Sequence, residues 1–355
     1  MKTDFLLEFE IVSASFRSSL KPCYKTVKLF FVALLLSISS FAQPTTGVVN
    51  WIDQLNLSGG FPEKLLSTRS VVFHDYRLTA KEISSAQEYF QRTGIDAVSY
   101  FELDMLMSNK DVTKAFSDYL LKREIQNIIV IEKNETQYRV TITLFNGKEN
   151  VIDAKQNAWS LSNSVLTEVL KTLYRTASNA KLKRENLLIN DLAEHEVSIN
   201  PITGKRNEFF AIDMKVDLLA VPKTGDETTD KKLEEIFKSV YPLKYKITEP
   251  GLTEKELRKQ GCLYILCVIE ARAIVAKDLL GYDMSKAASA IASMSYESGQ
   301  PQVKNIPSNT VVYKVYFKHI DSGNVFLGTK WDADALFEQA LMNQLKGLKA
   351  ELKLN

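Results

Sequence analysis

Two stretches of this chain run through the same segments in the same order, and no other feature narrows its fold as much. Tyr138, Val140, Ile142 and Leu144 alternate with polar residues as a half-buried strand does. A turn at Asn146–Asn150 follows, opened by the hairpin dipeptide Asn146-Gly147, then an apolar strand at Val151 and Ile152, then Trp159, then a helix with Leu166, Leu170 and Leu173 on one face. Further on, Tyr313, Val315 and Phe317 alternate in the same way. They precede a turn at Asp321–Asn324, an apolar strand at Val325–Leu327, Trp331, and a helix with Leu341, Leu345 and Leu348 on one face. The strand ahead of each hairpin also recurs, as Ile128–Glu132 and Ile265–Glu270. Tyr138 is thereby matched with Tyr313, Trp159 with Trp331, and Glu132 with Glu270.

Each half opens alike. The first reads as a strand at Arg69–Tyr76, a helix at Lys81–Arg92 ended by Gly94, a strand at Ala97–Phe101 and a helix at Val112–Arg123. The second reads as a strand at Glu208–Val221, a helix at Asp230–Val240, a strand at Tyr245–Thr248 and a helix at Thr253–Lys259. Thr253 and Glu256 form a capping box for that last helix, and Gly261 closes it. The expectation is an α/β fold with mixed sheets, built as two tandem β-α-β-α-β-β-β-α units over residues 43–177 and 206–355. Residues 178–205 form the linker, where the run from Asn200 to Gly204 supplies turn chemistry and Leu187–Val197 reads as either a helix or an extended crossover.

The halves differ at one place. Glu270 and Thr310 are separated by an insertion, 271–307, where the first half needs only a few residues. Its middle reads as a weak helix with Met284, Ala288 and Ile291 on one stripe, and its end, rich in Ser, Gly, Pro and Asn, as a mobile segment. Insertions of this length carry function more often than ordinary connections do. Met284, Ile291 and Met294 are therefore the candidate partner-binding residues, an adaptable apolar face.

The N-terminus speaks to compartment. Lys25 and Lys28, the apolar run Leu29–Ile38 and the exit Ser40-Phe41-Ala42 form a secretory signal, with residues 1–24 as a long leading segment or the product of an early start codon. The run is short of the ~20 residues a membrane span needs. Cleavage after Ala42 leaves 313 residues beginning at Gln43, in the periplasm or outside the cell. Gln43 stands where a lipidated cysteine would be, so no lipid anchor is expected. The chain holds 45 basic and 43 acidic residues. The leader removes five of the former and three of the latter, leaving 40 of each, a balance that points away from nucleic acid and anionic membranes as partners. Cys262 and Cys267 lie in one strand, roughly 16 Å apart at about 3.3 Å per residue, too far for a disulfide.

No residues assemble into a recognised catalytic or metal pattern. The phosphate-cradling loop of nucleotide-binding proteins is missing around Gly204-Lys205, and Ser285-Lys286 lacks the spacing of a serine–lysine hydrolase. His74, His195 and His319 are scattered. His74 and Asp75, as neighbours on a strand, face opposite ways. Catalytic, cofactor and metal residues are accordingly none. Glu132 and Glu270 read as strand-end charges that block edge pairing, and both tryptophans as packing residues where a hairpin meets its helix. The alternative kept open is a secreted hydrolase with an unfamiliar site between the halves.

The series of helix, the segment Gly94–Ser99, helix, Ile128–Glu132 and the hairpin from Tyr138 resembles small envelope domains. These are the N-terminal domain of the Tol-system periplasmic propeller protein, the curli secretion lipoprotein and the penicillin-binding-protein activator lipoprotein. The chain departs from them in having no lipid-anchor cysteine and no propeller. The resemblance implies an assembly or scaffolding role in the envelope, with a protein partner, and the function expected is a soluble, exported, non-catalytic binding or scaffold protein.

Overall fold

The computed structural model describes residues 51–186, 189, 193–194, 197–284, 289–297 and 300–354. The proposed leader, His195, Ser285, Lys286 and Ala288 lie outside them. The described residues belong to one compact unit of α/β class. No helix among them is long and apolar enough to cross a membrane.

The first sheet is made of β1 (Arg69–His74), β2 (Asp96–Glu102), β3 (Ile125–Lys133), β4 (Tyr138–Leu144) and β5 (Ala158–Asn163), in the order β2-β1-β3-β4-β5. The helices are α1 (Ala80–Thr93), the single turn α2 (Leu103–Leu106), α3 (Lys110–Lys122) and α4 (Leu166–Asn179). Local signals set their ends. Thr79 and Glu82 make a reciprocal capping box for α1, Gly94 ends it at a φ of 94°, and Asn109 caps α3 through the Val112 N–H. Parallel pairing joins β2-β1-β3 and antiparallel pairing joins β3-β4-β5.

The second sheet is made of β6 (Arg206–Asn207), β7 (Leu218–Pro222), β8 (Tyr245–Thr248), β9 (Cys262–Arg272), β12 (Val311–His319) and β13 (Val325–Phe326). Its order is β6-β13-β12-β9-β7-β8. Its helices are α5 (Glu227–Val240), α6 (Glu254–Lys259) and α8 (Phe337–Glu351). Read from its far edge, β8-β7-β9-β12-β13 repeats the first sheet's order with the same parallel and antiparallel senses. Both sheets also carry a register shift at the start of the equivalent parallel pairing, β1 with β3 between Arg69 and Ser70 and β7 with β9 between Leu218 and Leu219.

Register tests the matched residues one by one. Tyr138 lies opposite Lys133 and Tyr313 opposite Glu270, so the two tyrosines are equivalent. Their glutamates are not: Glu132 faces Arg139, and the place of Glu270 is held in the first sheet by Lys133. The tryptophans are not equivalent either. Trp159 pairs with Ile142, and the corresponding partner of Phe317 is Phe326. The reason is a shifted allotment of loop. In the first half the long connection precedes β5, and Val151 and Ile152 are no hairpin strand but loop residues buried in the core. In the second half the turn is tight and the slack follows β13, carrying Trp331. The strand expected over Glu208–Val221 is likewise cut down to β7, preceded by a short 3-10 helix at Ile212–Lys215.

The insertion folds. After β9 it forms α7 (Ala273–Leu279), then a two-stranded hairpin of β10 (Ala290–Ser295) and β11 (Gln302–Pro307). A strand therefore stands where a mobile tail was expected, and Ile291 lies on a strand rather than a helix. The hairpin is fastened to the loop after β13. The Met294 N–H donates to the Trp331 carbonyl at 2.7 Å, and Ser293 Oγ donates to the Ala333 carbonyl at 2.6 Å.

Three apolar layers result. Helices α1 and α4 cover one face of the first sheet through Ala86, Phe90, Leu166, Leu170 and Leu173. Helices α5 and α8 cover one face of the second through Leu233, Phe237, Leu341, Leu345 and Leu348. Between the sheets lies a cluster common to both halves, with Phe73, Phe101 and Phe116 from the first and Ile269, Val312 and Tyr316 from the second. The connection between the halves is packed as well. Asn186 Nδ2 donates to the Gly94 carbonyl at 3.1 Å, Glu194 pairs with Ser99 at the β2 edge, and Ile199 is buried. Gly204 approaches the Gly323–Asn324 turn so closely that a Cβ there would lie 2.4 Å from the Asn324 nitrogen.

Candidate functional site

In a doubly wound sheet the crevice for ligands opens beyond the carboxyl ends of two neighbouring strands whose connections leave toward opposite faces. Here α1 leaves β1 toward one face and α3 leaves β2 toward the other, while β3, on the far side of β1, turns straight back into β4, so the charged side chains gather beyond the carboxyl ends of β1 and β3. The ledge above them is dense with charge. Asp75 accepts from Arg77 Nε at 2.8 Å and Nη2 at 2.5 Å. Glu132 takes a two-pronged grip from Arg139, at 2.6 and 2.7 Å. Glu82, the capping residue of α1, also receives Lys133 Nζ at 2.9 Å and the Tyr138 hydroxyl at 2.5 Å.

The electrostatics follow from these contacts. Burial pushes the Glu82 carboxyl up, but the Tyr138 hydroxyl, the Thr79 N–H and Lys133 outweigh it and hold it at about 2. A carboxyl depressed in this way contributes stability that is complete above its ordinary 4.5 and is lost as pH falls toward 2. Burial also pushes Asp75 up, and the Arg77 contacts bring it below its ordinary value. General acid catalysis needs a group that titrates near the working pH. Glu82 and Asp75 are held ionised with their acceptor positions filled, so the ledge acts as a rigid charged wall.

Where the halves meet, Arg272 from the end of β9 reaches across to the first half. Its Nε donates to Asp104 at 2.6 Å, its Nη2 pairs with Glu102, and its guanidinium lies 4.2 Å from the Tyr76 ring centre. Lys318 makes a second crossing, to Asp111 at 3.0 Å, and Asn109 donates to the Tyr316 hydroxyl at 3.1 Å. The junction where an unfamiliar hydrolytic site was considered is thus filled by the common core and by closed ion pairs. Arg272→Met keeps the stem and removes the charge. Glu102 and Asp104 remain partly solvated, so we expect a loss of about 1–3 kcal/mol, read by urea unfolding. An unchanged midpoint would show that the crossing contributes nothing.

The residues singled out in the sequence fall as follows. His74 is buried at the end of β1, with Nδ1 3.2 Å from the Asp75 carbonyl. His319 takes the Ser322 N–H at the β12 turn and stacks edge-on with Tyr264. Trp159 meets Phe61 edge-on and Trp331 meets Tyr282 the same way. Among the described residues no group of three or more His, Cys, Asp or Glu side chains is placed to hold a metal ion. Cys262 and Cys267 are free thiols, both pushed up by burial. Met284, Ile291 and Met294 are half-buried, and Ile291 packs against the central core.

Three of the four most exposed large apolar side chains among the described residues lie elsewhere, on the segment from β6 to β7. Phe209 is 68% exposed, Ile212 71% and Val216 65%, while Phe210 and Met214 between them anchor in the core of the second sheet. The Phe210 N–H is tied to Glu351 at 2.6 Å, and its ring meets Phe317 edge-on. An anchored segment thereby raises three large apolar side chains into solvent. Read as a strand, these residues offered no such pattern. The spacing of 209, 212 and 216 fits one side of a helical turn, and that was the available signal.

Scans of the chain against protein-family models, curated proteins and solved structures return no match.

Proposed function

We propose that this chain is an exported, non-catalytic binding or scaffold protein of the cell envelope, working through protein partners. The observation that carries the reading is the ridge of Phe209, Ile212 and Val216. Large apolar side chains held out by an anchored backbone are the usual mark of a protein–protein contact, and they are expensive to leave in water. Kinship with the envelope-assembly domains named above is part of the proposal and rests on the shared element order. Export rests on the leader sequence.

The test uses chain recovered from its native host. Mass analysis should place its N-terminus at or near Gln43, and chemical cross-linking in intact cells should yield a specific adduct. The triple variant Phe209→Ser, Ile212→Ser, Val216→Ser should keep the wild-type melting temperature to within a few degrees and lose the adduct, because surface changes away from buried features usually stay within about 0.5 kcal/mol. Retention of residues 25–42, or an adduct that survives the substitutions, would overturn the corresponding part of the proposal.

A further inference from the structure

Each sheet ends on one side in a parallel strand, β2 in the first and β8 in the second, and the two edges are finished differently. The shared register shift aligns Ser70 with Leu219, Val71 with Ala220 and Val72 with Val221. Ser99 pairs with Val71 and Lys246 with Ala220, so Ser99 and Lys246 are equivalent. By the same register Tyr100 is equivalent to Ile247.

The β2 edge is covered by the connection between the halves. Glu194 lies alongside it in parallel, opposite Ser99. The Glu194 N–H donates to the Val98 carbonyl at 2.9 Å, and its carbonyl accepts the Tyr100 N–H at 3.2 Å. The side chains of this added segment are held too. Ala193 is buried in the layer under α1 and α4, and the Glu194 carboxylate is met by the Tyr119 hydroxyl at 3.2 Å and by Arg123, the residue that ends α3.

The same backbone groups stand open on β8. The Lys244 carbonyl accepts from Leu219 and the Thr248 carbonyl from Lys223. Residues 244, 246 and 248 are thereby turned to β7, and the Tyr245 carbonyl and Ile247 N–H point away from it. No strand pairs with that side among the described residues. Tyr245 and Ile247 are half-buried against the layer of α5. Lys246 is exposed on the other face, where its neighbour Ala220 packs with Leu257 of α6. A compensating exchange of charge accompanies the difference. Counting back two residues from Ile125 and Cys262, the first paired residues of β3 and β9, Arg123 falls where Gln260 stands, and each ends its helix. The first half holds its carboxylate with a cation at the helix end beside a neutral Ser99. The second half has a neutral helix end beside a cationic Lys246.

We propose that β8 takes up an extended segment of a partner protein as a further parallel strand, with an Asp or Glu opposite Lys246 and an apolar residue on either side of it. The backbone of that acidic residue bonds to the Tyr245 carbonyl and the Ile247 N–H, as Glu194 bonds to Val98 and Tyr100. Its carboxylate lies beside the Lys246 ammonium, and its apolar neighbours lie over Tyr245 and Ile247. The lysine also selects against a second copy of this chain. Two β8 strands joined antiparallel through Tyr245 and Ile247 would set Lys246 against Lys246. None of the ridge residues belongs to this edge, so this proposal and the one above fail separately.

The probe is N-acetyl-Thr-Val-Glu-Val-Thr-amide, titrated into the chain from Gln43 onward and followed by amide chemical shifts and hydrogen exchange. Saturable binding is expected, with shifts gathered at Tyr245, Lys246 and Ile247 and slowed exchange of the Ile247 amide. Methylating the peptide's glutamate nitrogen removes the bond to the Tyr245 carbonyl and should weaken binding about fivefold or more. The lysine analogue, N-acetyl-Thr-Val-Lys-Val-Thr-amide, should bind at least about threefold more weakly than the glutamate peptide, and Lys246→Glu should reverse that preference. Lys246 is exposed, so the substitution should leave the melting temperature within a few degrees of the native value. No saturable binding, shifts gathered at Val98–Tyr100 instead, indifference to the methylation, or a preference that Lys246→Glu does not reverse would overturn the proposal. So would a dimer that protects the Ile247 amide with no peptide present.

Discussion

Asp332→Ala is expected to lower the unfolding free energy by about 3–5 kcal/mol, the range found when one member of a buried ion pair is removed. Lys314 on β12 is fully buried, and its ammonium has three acceptors for its three hydrogens. They are Asp332 Oδ1 at 2.5 Å, Gln344 Oε1 at 2.8 Å and the Leu327 carbonyl at 2.8 Å. Burial lowers the lysine's pKa and pushes the Asp332 carboxyl up to about 6, each against the pull of the other charge. The complete set of acceptors is the geometry of an ionised lysine. Without Asp332 the ammonium keeps two neutral acceptors in a dry site, and it must shed its proton or open the fold. Lys314→Met combined with Asp332→Leu should recover most of the loss, since apolar replacements of buried pairs are often neutral or better. Urea unfolding of the two variants decides it. A loss below about 1 kcal/mol for Asp332→Ala would mean the pair is not what keeps Lys314 in place.

Leu170→Ala and Leu345→Ala are each expected to cost about 2–5 kcal/mol, the sum of lost transfer free energy and the cavity left behind. Leu170 is fully buried under α4 against the first sheet, and Leu345 is nearly so under α8 against the second. Helices α1 and α5 pack beside them, so neither site can collapse easily. Both variants should shift the midpoint of one shared denaturation transition, because the central cluster draws residues from both sheets. Two separated transitions, with Leu170→Ala moving one and Leu345→Ala the other, would show that the halves unfold independently.

The sequence disclosed periodic elements well and loop geometry poorly. The leucine stripes of α4 and α8, the Thr253–Glu256 capping box and the strand Tyr245–Thr248 all stand where apolar spacing and capping chemistry put them. Those signals are local, so a single sequence carries them. The reading failed where long-range contacts decide. Val151 adopts a φ of 67°, unfavourable for a β-branched residue, because its side chain is needed in the core. The turn read at Asn146–Asn150 does not lead into a strand but belongs to a longer loop, closed by the Asn146 N–H on the Val151 carbonyl and the Val151 N–H on the Lys148 carbonyl. The ion-paired ledge was visible only as scattered charges, and Arg272 as an ordinary residue at the start of the insertion. Its partners Glu102 and Asp104 lie far back in the chain, and no spacing rule connects them.

The common core also sets a schedule. A ribosome delivers the chain from its N-terminus, so Val112, Phe116 and Leu120 on α3 emerge long before Ile269, Val312 and Trp331, with which they share one cluster. At roughly 5–20 residues per second the wait is on the order of ten seconds or more. Throughout that interval the inner face of the first sheet is covered by α3 alone, and the outer side of that layer waits for the second half. A nascent chain in this state needs a holding chaperone, or delivery to its destination while still unfolded.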